Sequence, residues 1–283
     1  MTAPLNTGLS ELVDDFDVFF VDQFGVLHDG HRPYAGAVTA LQRMKAMGKR
    51  IALLSNSGRR AAPNADRLSG LGFPRSCYDL LVTSGEVAWR LLAQGRLGPS
   101  RRADGSPRCL LLSRGNDRSS VEGLGYALVD DGADADLVLI AGSEGERRTL
   151  AEYERRLAPA ATRNVPALCT NPDKVMLTDS GTSFAAGRIA DLYEALGGSV
   201  TWIGKPFGDI YRVAMEEIGS ASPERTLCIG DSVEHDIAGA QNAGLKSALV
   251  RSGILAGLSE AELEETYARY SATPDFVIPV FAL

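Results

Sequence analysis

DVFFVDQFGVLHDG (Asp17–Gly30) decides how the chain is read. It opens with an apolar run that closes on a carboxylate, Asp22, where a loop begins. Gly25 permits a tight backbone path just beyond it. Asp29-Gly30 is a strong turn signal, so the loop is expected to fold back as a small hairpin.

The same unit recurs along the chain. Short runs rich in Val, Ile and Leu alternate with longer amphipathic stretches, the pattern of strand and helix units that build a mainly parallel sheet. Strands are expected at 17–22, 50–55, 79–84, 108–113, 136–142, 166–171, 200–204, 225–231 and 246–250, with helices at 34–48, 60–71, 85–94, 146–157, 184–196, 208–219 and 236–243. The fold class is α/β. Asp22, Ser55, Asn171 and Asp231 each stand at the carboxyl edge of an apolar run, where open α/β sheets bind ligands. The Gly-, Pro-, Ser- and Arg-rich stretch 92–108 reads as an exposed loop near a change of domain.

Composition narrows the function classes. The 283 residues are 45% hydrophobic and 23% charged with a net charge of −7, enough chain for one large domain or two. No Lys/Arg block offers a footprint for nucleic acid or an anionic membrane. The first residues lack a basic stretch followed by an apolar core, and no later run approaches the roughly 18–20 apolar residues of a span. A cytoplasmic protein is expected. Cys77, Cys109, Cys169 and Cys228 are far apart without a C-x-x-C pair, so reduced, buried thiols are expected.

Four pieces share this framework: VDQFGVL (21–27), LLSNSG (53–58), IGKP (203–206) and GDSVEHD (230–236). In this order, with TNPDK (170–174), they resemble the haloacid dehalogenase superfamily, specifically its class IIA, NagD-like phosphatases with a large α/β cap. The resemblance spans nearly the whole chain. It implies a doubly wound parallel-sheet (Rossmann-like) core from 1–83 and 187–283, with an inserted cap domain at 84–186. It also implies Mg²⁺-dependent hydrolysis of a small phosphorylated metabolite, and a homodimer formed through the caps.

The resemblance assigns roles residue by residue. Asp22 is the nucleophile that would form an aspartyl-phosphate. Asp22, Asp231 and the Phe24 carbonyl would hold Mg²⁺, a hard ion that prefers oxygen. Asp236 is either an orienter behind the metal or a plain helix cap. Ser55 would donate to the phosphoryl group beside the backbone of Asn56 and Ser57, Lys205 would neutralise it, and Asn171 and Asp173 would lie near the substrate.

One residue departs from the pattern. Most phosphatases of the superfamily carry a second aspartate two past the nucleophile, as the acid for the leaving oxygen, and here that position is Phe24. Three readings stay open. A neighbour could supply the proton, His28 before Asp29. The chemistry could be that of the dehalogenases, which carry an aromatic there and need no leaving-group proton. Or the fold could serve as a binding module without turnover.

Overall fold

The computed structural model describes residues 4–99, 105–178, 181–219 and 222–283, so positions 100–104 of the expected exposed loop lie outside the described residues. Two compact units emerge, one made of Met1–Ser55, Ala62–Val82 and Lys205–Leu283, the other of Asn56–Ala61 and Thr83–Gly204.

The first unit is built on a seven-stranded sheet in the order Leu5–Asn6, Phe276–Ile278, Lys246–Val250, Thr226–Gly230, Val18–Asp22, Arg50–Ser55, Leu80–Thr83. Pairing is parallel from Leu5–Asn6 through Arg50–Ser55. Successive side chains of a strand face opposite sides, so a central strand must be apolar at every position if both faces are covered. Val18, Phe19, Phe20 and Val21 are each at most 1% exposed, which explains why the run does not alternate and shows cover on both faces.

The second unit carries a five-stranded sheet in the order Val200–Trp202, Ala167–Cys169, Leu137–Ile140, Arg108–Leu112, Ala127–Val129, parallel throughout. Leu110, Val138 and Ile140 pack with Tyr153, Leu157, Ile189 and Tyr193 into one core. Cys109, Leu137, Leu139 and Leu168 form another with Val121. The expected boundary at 186 falls inside this unit. Val200–Trp202 pairs with Ala167–Cys169, and helix Ala186–Ala195 packs on the same sheet, so the insert runs to Gly204.

Several elements lie beyond those expected: the strands Ala127–Val129 and Phe276–Ile278, the hairpin strands Val175–Thr178 and Gly181–Phe184, and helix Glu260–Tyr270. All four cysteines are buried and unpaired, as their spacing suggested. Among the described residues no helix is long and apolar enough to cross a membrane.

Candidate active site

Register alone gathers the first residues. Val21 pairs with Ile229, which sets Asp22 level with Gly230 and puts Asp231 one step beyond. Asp22 pairs with Leu54 on the other side, so Ser55 also lies one step further along. Asp22, Ser55 and Asp231 therefore share the carboxyl edge of neighbouring strands.

Lys205 joins them from the loop before helix Gly208–Ile218. It is 4% exposed, and its Nζ donates to Asp22 Oδ1 and, at 2.6 Å, to Asp236 Oδ1. The other Asp236 oxygen accepts the Ser232 amide at 3.0 Å. Asp236 therefore does not cap the following helix, whose preceding residue is Ile237; its carboxylate bridges the lysine and the Ser232 amide. Burial raises the Asp22 carboxyl pKa, opposed by the Lys205 charge and hydrogen bond and reinforced by the charge of Asp236. For Lys205 burial works the other way, yet the two carboxylates outweigh it and hold its pKa above the ordinary lysine value.

Asp231 has a different support. A Cβ at Gly25 would lie 2.0 Å from Asp231 Oδ2, and one at Gly253 would lie 1.9 Å from the same atom. Its carboxylate is thus seated against bare backbone from two loops, which are tied together by Ser252 Oγ donating to the Gly25 carbonyl at 2.7 Å. Gly253 and Ser252 were not singled out by the sequence, because a lone Ser-Gly after a strand is an ordinary turn.

Asp22, Asp231 and Asp236 each bring a carboxylate oxygen within 4.8 Å of the others. This all-oxygen donor set, with one member in a cradle that admits no side chain, fits Mg²⁺. The Phe24 carbonyl belongs to the same loop as Gly25. The Phe24 ring is 38% exposed and lies over Gly30, where a Cβ would be 3.1 Å from its Cε2.

The rest of the loop folds back as the Asp29-Gly30 signal predicts. Asp29 Oδ1 accepts the amides of His31 and Arg32 at 2.9 Å each, and these bonds hold its pKa down at about 2. Asp29 is a turn residue. His28 is 2% exposed, packs edge-on against Phe24 with ring centroids 6.0 Å apart, and its Nδ1 accepts the Gly30 amide at 3.1 Å. Burial, aided by the nearby Arg67 charge, lowers its pKa to about 4. An enclosed, neutral imidazole is a poor proton donor at neutral pH, which counts against the acid role expected of it.

The remaining expected residues belong to the second unit. Asn56 Nδ2 donates to Asp173 Oδ1 at 2.9 Å, and the Asp173 amide donates to Asn171 Oδ1 at 3.2 Å, so these three come together. Ser57, next in the chain after Asn56, accepts the Gly85 amide on its carbonyl at 3.0 Å and the Arg59 amide on its Oγ at 3.3 Å.

Comparison with known proteins identifies the family. A family model described as haloacid dehalogenase-like hydrolase matches residues 19–127, and a second, HAD-hydrolase-like, matches 202–282. A solved hydrolase of the haloacid dehalogenase-like family from Brucella suis 1330 is 30% identical with a TM-score of 0.82, covering 98% of this chain and 99% of that one. Chronophin from Mus musculus is 28% identical over 270 residues, 91% of this chain and 88% of its own. A glycerol phosphate phosphatase from Mycobacterium tuberculosis, solved in complex with calcium, is 26% identical with a TM-score of 0.72, covering 95% of this chain and 75% of that one. The chain belongs to the haloacid dehalogenase-like hydrolase family and is one of its phosphatases.

Proposed function

We propose that this phosphatase acts on a small phosphorylated metabolite, requires Mg²⁺, and works through an aspartyl-phosphate on Asp22. The observation that carries the reading is the Asp22–Lys205–Asp236 bridge beside Asp231 at one sheet edge. Lys205 opposes the burial that raises the Asp22 pKa and so favours the carboxylate, the form that attacks phosphorus as the bond to the leaving oxygen breaks. Water then attacks the same phosphorus, releasing phosphate and restoring Asp22. Ser55 would donate to the phosphoryl oxygens from the neighbouring strand end.

Asp22, Asp231 and the Phe24 carbonyl would hold the metal. When bound, Mg²⁺ supplies the positive charge that lets several carboxylates and a phosphate dianion share one space. The calcium in the mycobacterial relative supports a divalent cation here. Phe24 has no proton to give and His28 is neutral and enclosed, so the leaving group departs on its own acidity. Acyl, enol and aryl phosphates fit that requirement better than simple alkyl phosphates.

The test is turnover of p-nitrophenyl phosphate. EDTA should abolish it, Mg²⁺ should restore it, and Asp22→Asn should remove both turnover and trapping by beryllium fluoride. Undiminished turnover in Asp22→Asn rejects the reading.

A further inference from the structure

We infer that Asp173 is a positioning residue: it fixes Asn56, and through Asn56 the start of the loop that leaves Ser55, instead of touching the substrate itself. The inference rests on the phosphatase reading above and deepens it by assigning how the phosphate-facing loop is held.

Asn56 is 7% exposed, and a buried amide needs partners. Its Nδ2 donates to Asp173 Oδ1 at 2.9 Å. Asp173 is presented from a fixed platform. Its amide donates to Asn171 Oδ1 at 3.2 Å, and its carbonyl accepts the Gly187 amide at 2.9 Å. A Cβ at Gly187 would lie 2.2 Å from the Pro172 oxygen and 2.7 Å from that of Asp173, so the loop is pressed onto the first turn of helix Ala186–Ala195.

Asn56 is confined on its other side as well. A Cβ at Gly204 would lie 2.8 Å from Asn56 Oδ1 and 2.3 Å from Ser84 Oγ, and Gly204 has φ +117°. Two residues further on, a Cβ at Gly58 would lie 1.9 Å from the Ala141 carbonyl oxygen. Thr83 Oγ1 donates to the Arg59 carbonyl at 2.6 Å. The segment from Asn56 to Arg59 is therefore seated within the second unit by contacts that leave no room for a side chain. Ser55 precedes Asn56, and Lys205 follows Gly204, at one peptide bond. Any movement of Asn56 is transmitted to Ser55 by the fixed spacing of roughly 3.8 Å between consecutive Cα atoms.

What this node requires of residue 173 is an acceptor, not a charge. Four variants separate the two: Asp173→Asn keeps the acceptor, Asp173→Ala deletes it, Asn56→Asp sets two carboxylates together, and Asn56→Asp/Asp173→Asn restores the bond with its direction reversed. The readouts are kcat/KM on p-nitrophenyl phosphate and on an alkyl phosphate, and the affinity for orthovanadate by calorimetry, since vanadate has no leaving group. Asp173→Ala should lower kcat/KM on both esters by about 10- to 100-fold and weaken vanadate in parallel, the range expected for misplaced reacting groups. Asp173→Asn should stay within a few-fold of the native protein, and the exchanged pair should recover most of what Asn56→Asp loses.

Equal damage from Asp173→Asn and Asp173→Ala, or a loss confined to one leaving group with vanadate affinity intact, overturns the inference and makes the carboxylate a substrate contact. Thermal unfolding identifies a variant that fails to fold. If Asp173→Ala is one, Asp173→Asn and the exchanged pair decide. A native protein that binds vanadate without hydrolysing any ester refutes the phosphatase reading alone, and the vanadate series still decides the role of Asp173. A native protein that binds no vanadate refutes both.

Discussion

The carboxylate of Asp231 rests on the bare backbone of Gly253, so close that a Cβ there would lie 1.9 Å from Oδ2. Gly253 also has φ +68°, a left-handed conformation that costs an L side chain about 1–2 kcal/mol. Gly253→Ala should therefore displace the carboxylate that we propose binds the metal, without touching the core. We expect the Mg²⁺ concentration for half-maximal turnover to rise about 10- to 100-fold, the usual effect of disturbing a ligand's support. The Mg²⁺-induced rise in melting temperature should shrink with it. An unchanged Mg²⁺ dependence in the folded variant would separate Asp231 from the metal.

Lys205 offers a second test, because it is the cation between Asp22 and Asp236. Its raised pKa keeps it charged throughout the neutral range, so its contribution to stability is present well below the ordinary lysine value of about 10.4 and is lost only above it. Lys205→Met leaves two buried carboxylates facing each other. Removing one partner of a buried ion pair costs about 3–5 kcal/mol, and turnover should disappear. If the same carboxylates serve Mg²⁺, the loss measured by urea unfolding should be smaller with Mg²⁺ than with EDTA. Equal losses under both conditions would contradict a shared charge cluster.

His28 predicts an acid limit. Its pKa is about 4 in the folded chain against an ordinary value of about 6.5, so between those values the unfolded chain binds the extra proton. Stability from this group is complete above about pH 6.5 and is lost as pH falls towards 4; the whole swing is about 3 kcal/mol. His28→Asn keeps an acceptor for the Gly30 amide without the titration. It should flatten the fall in unfolding free energy between pH 7 and pH 4.5. Parallel curves for native and variant would show that another group sets the limit.

The sheet edge was legible because strand ends carry their chemistry in sequence. Asp22, Ser55 and Asp231 each close an apolar run, and parallel register then aligns them. What escaped depends on length or on distant contacts. Ala127–Val129 is three residues of edge strand, too short to show a period. Helix Glu260–Tyr270 did leave a signal, the Ser259/Glu262 capping box, but its apolar face is sparse, with only Leu263 and Tyr267 buried. The insert's true end was hidden because Val200–Trp202 reads like any other strand, and only its pairing with Ala167–Cys169 assigns it to the second sheet. The support of Asp231 by Gly253 joins residues distant in the chain, and nothing local marks it.

Phe24 carries the last prediction. Its ring is 38% exposed, so the packing loss on replacing it should fall well short of the about 3–5 kcal/mol of a buried phenylalanine. Phe24→Asp can then be read for chemistry. In the native enzyme, rates should fall steeply as the pKa of the leaving alcohol rises, because neither Phe24 nor the neutral His28 supplies a proton. His28→Asn should leave that slope unchanged. A carboxyl at position 24, two residues past Asp22, should raise turnover of alkyl phosphates by up to about 100- to 10,000-fold and make the slope shallower, the effect of a positioned general acid. Aryl phosphates should gain little, since their leaving groups need no proton. A folded, Mg²⁺-binding Phe24→Asp protein with no gain on any alkyl phosphate, beside a flat slope in the native enzyme, would mean that the proton already comes from elsewhere in the site.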